Sequence, residues 1–160
     1  MRKIVVTRKE ELKGEVRASE KGFGFTEYFA LPEGVGERSQ VSFYELPPLH
    51  SNYPYHYHFD QEEVFYIISG KGVLKTPDGE RPIQAGDLIF CPCGEAGAHR
   101  LTNTSDSETM VYLDFDAVPP TDVCIYPDSR KAAVWSPTFN KVYRIEDNVD
   151  YYDREDAGVT

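Results

Sequence analysis

Three of the four histidines in this 160-residue chain fall between positions 56 and 103, and two of them, His56 and His58, are separated by a single residue. On a strand, side-chain direction repeats every two residues, so both imidazoles reach one face and can share one ion. His99 can supply a third nitrogen, and a carboxylate just after the pair, Glu62 or Glu63, an oxygen. Periodicity does not choose between those two neighbours, which point to opposite faces of a strand whose entry at 59–61 bends. Three imidazoles with one carboxylate suit manganese, iron, nickel, copper or zinc rather than calcium or magnesium, which favour all-oxygen shells. Four protein ligands leave a six-coordinate ion open to substrate. The chemistry would be Lewis-acid polarisation of an oxygenated small molecule, or oxygen activation.

His56-x-His58, four residues, Glu63, six residues and Gly70 together resemble the first motif of the cupin superfamily, and Gly86, Pro92, Gly94, His99 and Asn103 resemble its second. Two departures accompany the match. His50 stands where the first motif opens on glycine, and four residues, Glu95-Ala96-Gly97-Ala98, separate Gly94 from His99 in place of the motif's shorter spacer. Two of the four are alanine and one is glycine, which allows a small bulge to absorb the extra length. The resemblance implies an all-β fold, an antiparallel β-barrel or jelly roll. It also implies a divalent transition metal (manganese, iron, nickel or zinc) on His56, His58, Glu63 and His99, with Glu62 solvated or behind the ligands. A homodimer is implied as well, because cupins of this size commonly pair barrels and an open sheet edge needs covering.

The tail carries a second resemblance. Tyr126-Pro127-Asp128-Ser129-x-Lys131 and Asp150-Tyr151-Tyr152-Asp153-x-Glu155 are similar to the end of a group of bacterial cupins often labelled sugar-phosphate isomerase-like, with Arg154 where that group is expected to have glycine. Tyr126, Asp128 and Lys131 either join a substrate site or form a hairpin in which proline fixes φ and aspartate bonds nearby backbone. The hairpin is the reading preferred.

Strands must position these groups. Residues 40–46 read as one, ended by Pro47-Pro48, which cannot donate to a ladder. Residues 63–68, β-branched and aromatic throughout, predict a buried strand with Phe65 on the face of Glu63. Residues 73–76 and 81–84 flank Pro77-Asp78-Gly79-Glu80, where Asp-Gly signals a hairpin. Gly86-Asp87 predicts a turn into a strand over 87–91; His99, Leu101 and Asn103 share a face; 103–108 is a polar turn and 109–115 a strand. Upstream, Gly14, Gly22, Gly24, Pro32, Gly34 and Gly36 punctuate short strands, and Gly22-Phe23-Gly24-Phe25 reads as a bend. Many short strands without a 3.6-residue period describe a barrel or jelly roll. One domain over 1–160 follows, with N-terminal strands over 1–39, a barrel core at about 40–117 and a C-terminal extension over 118–160.

Composition narrows the partners. With 17 basic and 27 acidic side chains, a net charge of −10 and a pI near 4.8, the chain is suited neither to nucleic acid nor to an anionic membrane. The opening Met1 to Glu10 lacks the apolar core of a signal peptide, so a cytoplasmic location is expected. Cys91, Cys93 and Cys124, an odd set, read as small apolar fillers rather than a disulfide framework. Only Lys75, Arg81 and Arg100 accompany the motifs as cations, and Arg100 alternates away from His99, which weakens a sugar-phosphate reading. Tyr53, Tyr55, Tyr57, Phe65 and Phe90 could wall an aromatic pocket or simply fill a core. Two functions follow: a small metal-dependent enzyme of isomerase, decarboxylase or dioxygenase type with no assigned general base, or a non-catalytic cupin that binds or senses a metabolite.

Overall fold

The computed structural model describes residues 4–31 and 38–158, so the turns expected at Pro32, Gly34 and Gly36 lie outside the described residues. The strands are β1 (Glu15–Ser19), β2 (Phe23–Phe29), β3 (Ser39–Leu46), β4 (Tyr57–His58), β5 (Glu62–Ser69), β6 (Lys71–Thr76), β7 (Gly79–Gln84), β8 (Leu88–Cys91), β9 (Arg100–Asn103), β10 (Met110–Ala117), β11 (Asp122–Tyr126), β12 (Lys131–Trp135) and β13 (Lys141–Arg144). The described helical turns are all of the short 310 type. No helix is long and apolar enough to cross a membrane.

These strands form a six-stranded sheet in the order β1-β2-β3-β10-β5-β8, a four-stranded sheet β13-β12-β11-β4 and a three-stranded sheet β7-β6-β9. Every strand pair is antiparallel. The fold is the expected all-β jelly roll, with sheets that face one another rather than one ladder closed on itself. Isolated bridges knit the sheets, among them His56 to His99 and Ser51 to Thr102.

Alternation along β3, β5 and β10 makes the interior, and its character changes along the strands. At one end Leu46 and Met110 are paired across the sheet and fully buried. One step along, Tyr44 and Tyr112 stack with ring centroids 5.0 Å apart, beside buried Ile67. Next come Ser42, Asp114 and Phe65, then Gln40, Asp116 and Glu63, each set in register. Burial of the large side chains Phe65, Ile67, Leu101 and Tyr112 contributes roughly 1.5–3 kcal/mol each. The apolar end thereby carries the cost of desolvating the polar end.

Local chemistry sets the turns. Pro77-Asp78 forms the loop between β6 and β7 while Gly79, at φ +112°, already pairs with Thr76; the hairpin expected at Asp-Gly is thus centred one residue earlier, because the proline ring holds φ negative. Gly22-Phe23-Gly24-Phe25 is not the expected bend. Only Gly22 turns the chain, and Phe23 opens β2 with Phe25 in the core. His50 keeps an ordinary conformation where the motif has glycine, because Leu49 takes the positive φ of 59° in its place. Arg154, where glycine was expected, is likewise left-handed at φ 63°.

The polar loop after β9 is held by one side chain. Asn103, fully buried, donates its amide to the carbonyls of Leu46 and Glu108, both at 2.8 Å, and accepts the Ser105 N–H at 2.9 Å. Asn103→Ala leaves those three groups unpaired. It is expected to lower the unfolding free energy by roughly 2–4 kcal/mol in urea titration.

Candidate metal centre

His56 and His99 face each other across a two-bond backbone bridge: the His56 N–H donates to the His99 carbonyl at 3.2 Å and the His99 N–H to that of His56 at 2.9 Å. This fixes their rings 4.7 Å apart. His58 follows on β4 with its ring 5.1 Å from that of His56, so the His-x-His pair does share a face. Glu63 enters from β5, its carboxylate oxygens 3.8 Å from His58 Nε2 and 3.2 Å from His99 Nε2. Glu62 is exposed on the opposite face. The longer spacer before His99 is taken up by a 310 turn, Glu95–Gly97, and a Cβ on Gly97 would overlap the Pro92 carbonyl oxygen.

All three imidazoles are anchored through the same nitrogen. His56 Nδ1 lies 2.8 Å from the Pro54 carbonyl, His99 Nδ1 2.9 Å from that of Gly97, and His58 Nδ1 2.5 Å from Asp122 Oδ2. Oxygen acceptors place the ring proton on Nδ1, which leaves a lone pair on each Nε2. His99 Nε2 is buried without a hydrogen bond, and its near neighbour is a Glu63 oxygen, itself an acceptor. A cation between two such acceptors resolves the conflict, and the donor set of imidazole and carboxylate fits a first-row divalent ion. Ligand atoms of His56, Glu63 and His99 lie within 4.8 Å of one another. A second group at the same spacing, His56, His58 and Cys124, overlaps it and offers sulfur.

Burial, then the neighbouring His99 and His58, push His56 well below the usual imidazole range and keep it neutral. Burial also pulls His58 down, but the Asp122 hydrogen bond and the Glu63 charge outweigh it, and the net shift is upward. Asp122 shows the reciprocal balance: burial raises it, while His58 and the Asp60 N–H, 2.9 Å away, bring it below the ordinary value. Burial pushes the Cys124 thiol up to about 12. Burial, Asp116 and Glu63 together hold Asp114 well above the carboxylate range. Asp116 is pushed up to about 7, by burial first and by Glu63 next.

A cavity of about 420 Å³ opens beside these groups, lined by His56, His58 and Glu63 and also by Glu27, Asp114, Asp116, Cys124 and Tyr126. Of the four residues expected as ligands, His56, Glu63 and His99 bring ligand atoms within 4.8 Å of one another, and His58 lies alongside with Nε2 3.8 Å from Glu63. Of the aromatics expected nearby, Phe65 packs against the His99 ring at 5.3 Å and Tyr53 edge-on to His56 at 6.1 Å. Phe90 does not: Cys91 is the residue in register with Glu63, so Phe90 points outward. The tail hairpin forms as expected between β11 and β12, yet it also turns Tyr126 onto the His56 ring at 5.9 Å. Asp128 stays outside, 2.6 Å from Lys75. His50 sits half-buried with Nδ1 bonded to the Pro48 carbonyl. Lys75, Arg81 and Arg100 do not line the cavity, whereas Arg17 does.

Sequence reasoning missed Asp114, Asp116 and Asp122. The first two had a signal: the inward phase of β10 runs Met110, Tyr112, Asp114, Asp116, so acids occupy core positions. Asp122 had none, because it is 64 residues from the histidine it holds.

Residues 42–116 match the Cupin_2 family model, a cupin domain. A glucose-6-phosphate isomerase of Thermococcus onnurineus is 37% identical over 73 residues, covering 42% of this chain and 35% of that protein. An oxalate-binding protein of Thermotoga maritima is 36% identical over 74 residues, covering 46% of this chain and 55% of that protein. The matches thus span only about a third to a half of these relatives. Among solved structures, a protein of Acidithiobacillus ferrooxidans described as a candidate sugar phosphate isomerase superposes with a TM-score of 0.79 at 26% identity, over 91% of this chain and 95% of that one.

The raised Asp116 carboxyl has a consequence for the metal-free protein. Its folded value, about 7 against an ordinary 3.8, means the folded state binds more protons than the unfolded chain between those values. The stability it contributes is therefore fully present below about pH 4 and lost as pH rises through about 7. Urea unfolding of metal-free protein should show that fall, and Asp116→Asn should shrink it by on the order of 2–4 kcal/mol. Identical pH profiles for the two proteins would contradict the assignment.

Proposed function

We propose that this chain, whose residues 42–116 match a cupin domain model, is a small metal-dependent enzyme acting on an oxygenated small molecule, with His56, His58, Glu63 and His99 as the ligands of one divalent manganese, iron, nickel or zinc ion. The observation that carries the reading is the shared anchoring of the three Nδ1 atoms, which leaves His99 Nε2 unpartnered beside the Glu63 carboxylate. Such an ion supplies Lewis acidity for isomerase- or decarboxylase-type reactions, or a site for oxygen activation. The chain's own residues do the positioning. Asp122 fixes the tautomer and tilt of His58, Tyr126 and Phe65 pack the flanking rings, and the carboxyl wall at Asp114 and Asp116 borders the space where a ligand would lie. A second reading, a non-catalytic cupin that captures a metabolite, is supported by the likeness to an oxalate-binding protein. We take 1–160 as one domain, and place it in the cytoplasm because its three cysteines are free.

The small-molecule reading comes with a proposed homodimer. The outer face of the six-stranded sheet carries cross-strand apolar rows, Phe43-Leu113-Tyr66-Leu88 and Phe115-Val64-Phe90. Tyr66, Leu88, Phe90 and Phe115 are exposed there. The longer row spans four strands, about 14 Å, and the shorter row three. Glu45, a charge on the same face, is already paired with Lys9 at 2.6 Å. Glu62, exposed on the same face, lies beyond the second row beside Ala117, so two copies can meet on the apolar rows between Glu45 and Glu62.

Elemental analysis of protein purified without added metal tests the centre. His56→Ala and His99→Ala are each expected to weaken metal binding at least 100-fold, on the order of 3 kcal/mol, while Glu62→Gln retains it. Full metal retention in both histidine variants sinks the site. Turnover of any substrate in an isomerisation, decarboxylation and oxygen-uptake screen selects the enzyme over the binding module. Light scattering tests the dimer: Phe90→Glu should yield monomers where the wild type is dimeric.

A further inference from the structure

The wall of the cavity away from the histidines is built of groups that the metal centre does not use. Glu27, Asp114 and Asp116 line it, and they are 2%, 5% and 7% exposed. Glu27 is largely satisfied: it accepts from Ser42 Oγ at 3.2 Å and Tyr44 Oη at 2.9 Å, with Arg17 Nε 3.6 Å away. Asp114 and Asp116 are not. Each retains one buried oxygen with no hydrogen-bond partner. They stand two residues apart on β10 and so share its inner face, where Asp116 lies in register between Glu63 and Gln40. One proton shared by the two acids cannot satisfy both carboxyl groups. Gln40, Gln61 and Tyr53 add neutral polar groups to the same lining, and Phe29 and Trp135 add aromatic faces.

We propose that this cavity selects a neutral polyhydroxylated ligand, of the size and chemistry of a monosaccharide, over small dicarboxylate anions, with Asp114 and Asp116 accepting hydrogen bonds from its hydroxyls. The inference rests on the reading of the site as a ligand cavity beside a metal centre. Hydroxyls are the donors that the unpartnered oxygens lack, and buried acceptors left unpaired are costly. A dicarboxylate brings only acceptors, so it leaves the buried Asp114 and Asp116 oxygens without a donor and sets its own oxygens against them. About 420 Å³ accommodates a six-carbon polyol and lies within the range of small-molecule sites.

The test is titration calorimetry on the full chain reconstituted with Mn(II), its metal content measured in every sample, with D-fructose and D-xylose as neutral probes and oxalate as the dianion. At least one sugar should bind at least tenfold more tightly than oxalate. Asp114→Asn and Asp116→Asn should each cut the sugar-to-oxalate affinity ratio at least tenfold at unchanged manganese content. Should Asp114→Asn fail to fold, Asp116→Asn and Gln40→Leu carry the same comparison. Tighter binding of oxalate, absence of sugar binding with manganese in place, or an unchanged ratio in the folded variants overturns the proposal. A wild type that takes up no manganese counts against the metal centre instead, and the same order of affinities is then required of the metal-free protein.

Discussion

The two backbone hydrogen bonds between His56 and His99 are the constraint on which the rest of the structure depends. They join chain segments from the two sequence motifs at one point, and that point is also where two imidazoles turn into the interior. Each ring is then locked by its own Nδ1 on a carbonyl two residues away. The bridge therefore sets position, and the local carbonyl sets rotation. His58 lacks such a carbonyl and borrows a carboxylate from β11, which makes its orientation the one that relies on distant chain.

A buried cluster of this polarity is tolerable only because the same strands are apolar at their other end. Tyr44, Tyr112, Ile67, Leu46 and Met110 form a continuous packed layer directly behind Asp114, Asp116 and Glu63. Strand pairing in β3, β5 and β10 serves both ends at once, so a one-residue slip in any of them would turn its core and cavity side chains together to the outer face. The gradient from apolar to polar along one set of strands is what converts a jelly roll into a container with a working floor.

Much of this was legible in the sequence. The His-x-His pair, Glu63 and His99 were found by spacing and resemblance, and alternation placed Phe65 beside Glu63 correctly. Alternation also assigned the strand faces well enough that Asp114 and Asp116 could have been recognised as acids on a core face. What could not be read came from pairing between remote segments. The meeting of β4 with β11, which delivers Asp122, Cys124 and Tyr126, leaves no local trace. Phe90 was misassigned for a related reason: its proximity in sequence to the second motif says nothing of the β5–β8 register that turns it outward. Arg17, contributed by β1, entered the cavity wall by the same long-range route.

The reliance of His58 on Asp122 has a consequence for the order of events during synthesis. As the chain leaves the ribosome, its His-x-His pair is complete long before Asp122, 64 residues further on, can reach it. Until β11 pairs with β4, His58 is free to rotate, and the three-imidazole arrangement does not exist as a rigid unit. The orientation of His58 is therefore tied to the pairing of β11 with β4, and a change that loosens that pairing loosens the imidazole with it.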